Sequence, residues 1–227
     1  GEPLRDILLK NAQLWINHIG LIVISLAQAT AFLHSKGKFH FGLSPESLLV
    51  RFDEKTHTPR VLLFDLGIAT DVQGMKTDWY NEFVLPAYLA PEFIGASSIR
   101  PDYRTDVYGL GLLLYEMLVG QPTYPFKLRS DPEIYRIVQN AGRVQMNRTE
   151  DVKVLADIAL QAVQRQPGQR QESAQVLAVQ LKKFFGSVPD EKQSRWPSLN
   201  TMLVMVGVLL ALALLVVMAV MLGHTTA

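Results

Sequence analysis

His40-Phe41-Gly42-Leu43-Ser44-Pro45-Glu46-Ser47-Leu48-Leu49 brings an imidazole, two hydroxyls and a carboxylate into one short stretch. Three further clusters follow in order: Asp65-Leu66-Gly67, Tyr88-Leu89-Ala90-Pro91-Glu92 and Asp106-Val107-Tyr108-Gly109-Leu110-Gly111. Carboxylates and imidazoles serve proton transfer when one stands within hydrogen-bond reach of the reacting group. Asp65 also has a plain structural reading, as a turn residue that helps Gly67 shape the start of a loop. Imidazole-based metal binding is not indicated. Five His occur, none with carboxylates at ligand spacing, and His34 and His40 straddle the end of a helix. The chain has no cysteine, which excludes a thiolate nucleophile, a disulfide scaffold and Cys-ligated zinc.

The elements that must hold these clusters can be read from hydrophobic periodicity. Residues 4–12 form a short helix. Ile16, Ile19, Ile22, Val23, Leu26 and Leu33 follow a helical period over 15–34, and Gly37 ends that helix. Two short apolar runs, 48–51 and 60–64, flank a polar connection suited to a hairpin. Residues 70–91 are irregular. The stretch 105–119 is apolar nearly all round, as expected of a helix buried at a domain centre. Amphipathic helices are expected over 131–140, 150–163 and 173–185. The fold class is mainly α with a small β-hairpin, and the first chemical cluster falls between the long helix and the first strand.

The four clusters, in this order and spacing, resemble the C-terminal lobe of the Ser/Thr protein kinases over about 185 residues. Arg170 falls where that family places a partner for the Glu of its Ala-Pro-Glu motif, here Ala90-Pro91-Glu92. The resemblance implies a kinase-like C-lobe in which Asp106 bonds the backbone of the catalytic loop and His40 packs beneath Leu66. It implies a largely buried Glu92–Arg170 pair, and it makes Asp65 a possible magnesium ligand.

The departures carry as much information. In the family the catalytic loop reads H-R-D-L-K-P-E-N, where Asp accepts the substrate hydroxyl proton and Asn holds the second magnesium. Aligned without a gap, the Asp position is Gly42, the Lys position is Ser44 and the Asn position is Ser47. No carboxylate remains there to orient a hydroxyl, and no ammonium to balance phosphate charge. The Arg that pairs with an activation-loop phosphate in such kinases is Phe41, an apolar ring. Val84 and Leu85 replace the Gly-Thr that often precedes Ala-Pro-Glu. These losses agree with one another, and no catalytic residue is assigned. Glu46 has its own counterpart in the family motif and is not promoted to base.

Magnesium nucleotide also needs an N-terminal lobe with a Gly-rich loop and a strand Lys, and neither occurs among these residues. No cofactor is expected, with Mg-ATP following only if an N-lobe is encoded upstream of Gly1.

The 227 residues carry 22 basic and 21 acidic side chains, a formal net charge of +1, which argues against nucleic-acid binding. All of these charges lie at or before Arg195. Residues 202–222, opening on Met202 and closing on Leu222, hold 21 residues without a charge or a proline. As a helix they would span about 31 Å, the thickness of a bilayer's hydrocarbon core. Lys182, Lys183, Lys192 and Arg195 precede this segment, so the positive-inside rule places residues before it in the cytoplasm.

The expected organisation is a kinase-like C-lobe (1–186), a Pro-containing linker (187–200), one transmembrane helix (201–223) and a short extracytoplasmic tail (224–227). The expected function is that of a membrane-anchored pseudokinase-like module that binds protein partners at the cytoplasmic face. Two alternatives stand beside it: a fragment of an active membrane-bound Ser/Thr kinase, and a structural subunit of an integral membrane complex.

Overall fold

A computed structural model describes residues 1–11, 14–64, 66, 69–71, 84–94, 99–124, 129–142, 144–146 and 152–185. The apolar period noted above folds as a 20-residue helix, α2 (Ile16–Ser35), preceded by the short α1 (Leu4–Lys10). The buried stripe of α2 is wider than the six periodic residues suggest, since Ile24, Ala27 and Thr30 are buried as well. Gly37 follows in the left-handed region at φ 68°, where a glycine carries no Cβ penalty.

Helix α3 (Tyr103–Val119) begins two residues earlier than its apolar run. The reason is a capping box. The Asp102 carboxylate accepts the Arg104 N–H at 2.7 Å, and the Thr105 hydroxyl accepts the Asp102 N–H at 3.2 Å. Gly120 closes the other end in the left-handed region at φ 79°. The helices α4 (Asp131–Asn140), α5 (Lys153–Ala162) and α6 (Ala174–Phe185) follow. The start expected for α5 at residue 150 falls outside the described residues.

Helix α2 packs on α6, α3 and a small sheet, and α3 packs on α5. Close approach there depends on glycine: a Cβ at Gly111 would stand 2.5 Å from the Ala162 Cβ, and one at Gly109 would stand 2.9 Å from the Leu43 Cβ. By length and composition alone α2 is apolar enough to cross a membrane. Its buried residues instead join Leu110, Leu113, Leu114, Leu177 and Leu181 in the main apolar core.

The expected hairpin is corrected to a three-stranded sheet. Strands β2 (Leu48–Phe52) and β3 (Pro59–Leu63) pair antiparallel from Leu48↔Leu63 to Phe52↔Pro59. A third strand, β1 (Glu2–Pro3), joins β2 at Glu2↔Val50 and Pro3↔Leu49, giving the order β1-β2-β3. Two residues are too few to show strand alternation, so only the pairing reveals β1.

A second apolar cluster lies beside the first. Phe41, Tyr88, Leu89, Phe93, Tyr108 and Ile134 are among its buried members, and it holds down the segment 84–94 against α3 and α4. The mainly helical class with little sheet is thus observed over the described residues. The uncharged segment 202–222 and the linker before it lie outside them.

Candidate functional site

The centre of the site is a loop, residues 36–47, hung on one buried side chain. Asp106, in the first turn of α3, is 1% exposed. Its Oδ2 accepts the His40 backbone N–H at 2.9 Å and lies 2.8 Å from His34 Nε2, while its Oδ1 accepts the Phe41 N–H at 2.6 Å. These bonds fix Phe41 at φ 60°, a left-handed conformation that is uncommon for any residue but glycine. The Phe41 ring is buried, stacked on Phe39 at 5.4 Å and edge-on to Phe93 at 5.4 Å.

His40 is fully buried. Its Nδ1 accepts the Gly42 N–H at 3.3 Å, which leaves Nε2 to donate to the Phe64 carbonyl at 3.2 Å. The imidazole thereby ties the loop to the end of β3. Leu66, under which the ring was expected to pack, is 50% exposed. Asp65 and Gly67 lie outside the described residues.

Ser44 and Ser47 are both buried and both engaged locally. The Ser47 hydroxyl donates to the Ser44 carbonyl at 2.9 Å and accepts the Ser44 N–H at 3.1 Å. Together they cap the single 3-10 turn Pro45–Ser47. Ser47 Oγ thus serves the backbone of the loop it stands in.

Glu46 meets a residue that sequence reading missed. Arg5 on α1 donates from Nε to Glu46 Oε1 at 2.7 Å, from one terminal nitrogen to Glu116 Oε1 at 2.5 Å, and from the other to the Tyr88 hydroxyl. Tyr88 donates in turn to Glu116 Oε2 at 2.6 Å. Glu116 on α3 is 2% exposed, and the Arg5 side chain is largely covered. Burial and then Glu116 push the Tyr88 phenol far above its ordinary value. This knot ties α1, the loop, the segment 84–94 and α3 into one unit. Its members are up to 111 residues apart, so no local pattern announces it.

A second ion pair anchors the same segment. Both terminal nitrogens of Arg170 donate to Glu92, at 2.7 and 2.8 Å, with both side chains buried. The Arg170 guanidinium also donates to the carbonyls of Gln164, Arg104 and Arg165. All five of its N–H groups are therefore satisfied. Thr105 adds a hydroxyl bond to Glu92 at 2.7 Å. Ala90 is buried and precedes the 3-10 turn Pro91–Phe93, which sets the direction of Glu92.

Chemically, the loop is well held but poorly equipped. Among the described residues, Asp106 is committed to three nitrogen partners, Glu46 binds Arg5 through Oε1, and Asp71 pairs with Lys38 at the loop's start. Among the described residues, no three His, Asp or Glu side chains come together in a way that would hold a metal ion.

The profile of the protein kinase domain family matches residues 1–191 of this chain. The chain belongs to the protein kinase domain family. Similar proteins include the serine/threonine-protein kinase PknB of Mycobacterium leprae, 29% identical over 195 residues that cover 84% of this chain and 30% of that protein. A probable serine/threonine-protein kinase of Clostridium perfringens is 28% identical over 187 residues, covering 81% of this chain and 26% of its own length. The serine/threonine-protein kinase ULK3 of Mus musculus is 30% identical over 149 residues, covering 64% of this chain and 29% of its own. The chain thus spans less than a third of the length of each of these relatives.

Within the kinase domain, the polar anchors of the loop (His34, His40, Asp106) and of the segment 84–94 (Glu92, Arg170) are present and hydrogen-bonded. Aligned without a gap, the family motif would put its substrate- and metal-acting residues at Gly42, Ser44 and Ser47. Gly42 has no side chain, and Ser47 is turned to the backbone.

Proposed function

We propose that this kinase domain is a pseudokinase that acts by binding protein partners, held to a membrane through residues 202–222. The observation that carries this reading is the state of the catalytic loop. Its scaffold is intact at Asp106, while Gly42, Ser44 and Ser47 offer no general base, no ammonium and no carboxamide. A carboxylate, a lysine and an asparagine are what phosphoryl transfer asks of those positions. A loop kept in a strained conformation without its reactive groups serves shape, and shape serves recognition.

The burial of Phe41 supports the same reading. In the position where an arginine would pair with phosphate, an aromatic stack of Phe39, Phe41 and Phe93 packs the neighbouring segment with apolar contacts. Such packing needs no phosphorylation to form. The proposed site therefore holds its shape constitutively. No cofactor is proposed for these residues, and Mg-ATP enters only with an N-lobe supplied upstream. Asp65 is then the one residue of this chain proposed to meet magnesium.

The membrane part of the proposal rests on the 21 uncharged residues from Met202, preceded by the basic Lys182, Lys183, Lys192 and Arg195. It puts the kinase domain at the cytoplasmic face and residues 224–227 on the other side. Crosslinking and copurification from native membranes test the reading. The full chain and a chain lacking residues 199–227 are expected to retain the same protein partner. Loss of the partner together with the span would contradict a recognition role for the domain and favour a structural subunit of a membrane complex.

A further inference from the structure

Beside the Glu92–Arg170 pair lies a recess lined by none of the loop residues described above. A cavity of about 290 Å³ opens between Pro91, α3, the end of α4 and the turn that follows α5. That volume is near the lower end for small-molecule sites. Its walls are mixed, with Val138, Ala141, Val144 and Val163 on the apolar part and Gln164 and Arg165 among the polar.

Two phenols also line it. Tyr108 donates its hydroxyl proton to the Tyr124 hydroxyl at 3.2 Å. Two hydroxyls bring two protons to a contact that uses one. The Tyr124 O–H proton thus has no acceptor among the described residues, although Tyr124 is only 6% exposed. A buried donor in that state is costly unless something else accepts from it. At the mouth stands Arg165. It gives one N–H to the Gln139 carbonyl and has further N–H groups without a partner among the described residues. Two donors, one of them cationic, therefore line a chamber that also has an apolar wall.

The geometry points to a binding site for a small monocarboxylic acid with an apolar body, such as an arylalkanoate. The body lies against Val138, Val144 and Val163, and the carboxylate accepts a hydrogen bond from the Tyr124 hydroxyl and pairs with the Arg165 guanidinium. This site is separate from the catalytic loop and does not depend on whether the domain transfers phosphate. Gly142 offers a way to test it. This residue lines the same recess, and a Cβ placed on it meets nothing within 4 Å, so a side chain there is tolerated and intrudes on the space.

Isothermal titration of the full chain in detergent with 3-phenylpropionate, and with its neutral amide as control, reads the site directly. Saturable binding of the acid is expected, about tenfold weaker in Tyr124→Phe from loss of one hydrogen bond to a charged group and absent in Gly142→Leu. The amide is expected to bind more weakly than the acid. Absence of saturable binding to the wild type, equal binding of acid and amide, or unchanged binding in Tyr124→Phe would overturn the proposal. If Gly142→Leu fails to fold, the Tyr124→Phe comparison decides alone.

Discussion

Arg170 reaches Glu92 and three backbone carbonyls from a position with almost no solvent contact. Removing one partner of a buried pair leaves an uncompensated charge, at a cost of about 3–5 kcal/mol. Glu92→Gln is therefore expected to lower the unfolding free energy by about that amount. Arg170→Ala should cost more, because three carbonyls lose their donor as well. Urea denaturation of both variants checks the order, and the reverse order would contradict it. The Arg5 knot obeys the same arithmetic. Arg5→Met strands Glu116 between Tyr88 and the core, a loss again of about 3–5 kcal/mol. Adding Glu116→Gln to Arg5→Met should recover part of it in the same denaturation measurement. The two clusters differ in how they could be foreseen. Glu92 and Arg170 stand in motif positions, whereas Arg5, Glu46, Tyr88 and Glu116 are brought together only by the packing of α1 on the loop. The sequence also offered no way to see that Ser47 caps its own turn, since a serine there is equally suited to face a metal.

Elements were legible wherever a period could repeat. Helices α2 and α3 carry several turns of apolar residues and fall close to their expected limits, while α3 gains two residues from the Asp102 capping box. Strand β1 was illegible because two residues cannot alternate, and its existence follows from pairing with β2. The junction of α2 with that sheet has a titratable group at its seam. His18 lies between Trp15, stacked at 5.6 Å, and Phe52 of β2 at 5.2 Å. Burial, and then the nearby His57, hold the His18 imidazole below its ordinary value of 6.5. The unfolded chain therefore takes up that proton more readily than the folded chain. The contribution is fully present above pH 6.5 and is lost as pH falls through the lower folded value. Urea midpoints measured at pH 7.5 and in steps below 6.5 should fall, and His18→Phe, which keeps a ring in the stack, should flatten that part of the decline. An unchanged slope in the variant would contradict the assignment.

At the scale of the molecule, we propose a kinase domain that keeps its supports while its reactive positions have changed. Asp106 holds the loop, the 84–94 segment is fastened by Glu92–Arg170, and Phe41 stacks on Phe39 inside the fold. The family and the mainly helical fold were readable from four motifs in order. The membrane role of 202–222 and the metal role of Asp65 rest on sequence, because both lie outside the described residues. The most direct test of the central claim is transfer of labelled phosphate from Mg-ATP to a generic protein substrate by the full-length gene product, wild type beside Asp65→Ala. The account expects no transfer above background from either. Transfer by the wild type that disappears in Asp65→Ala would contradict it and establish an active kinase.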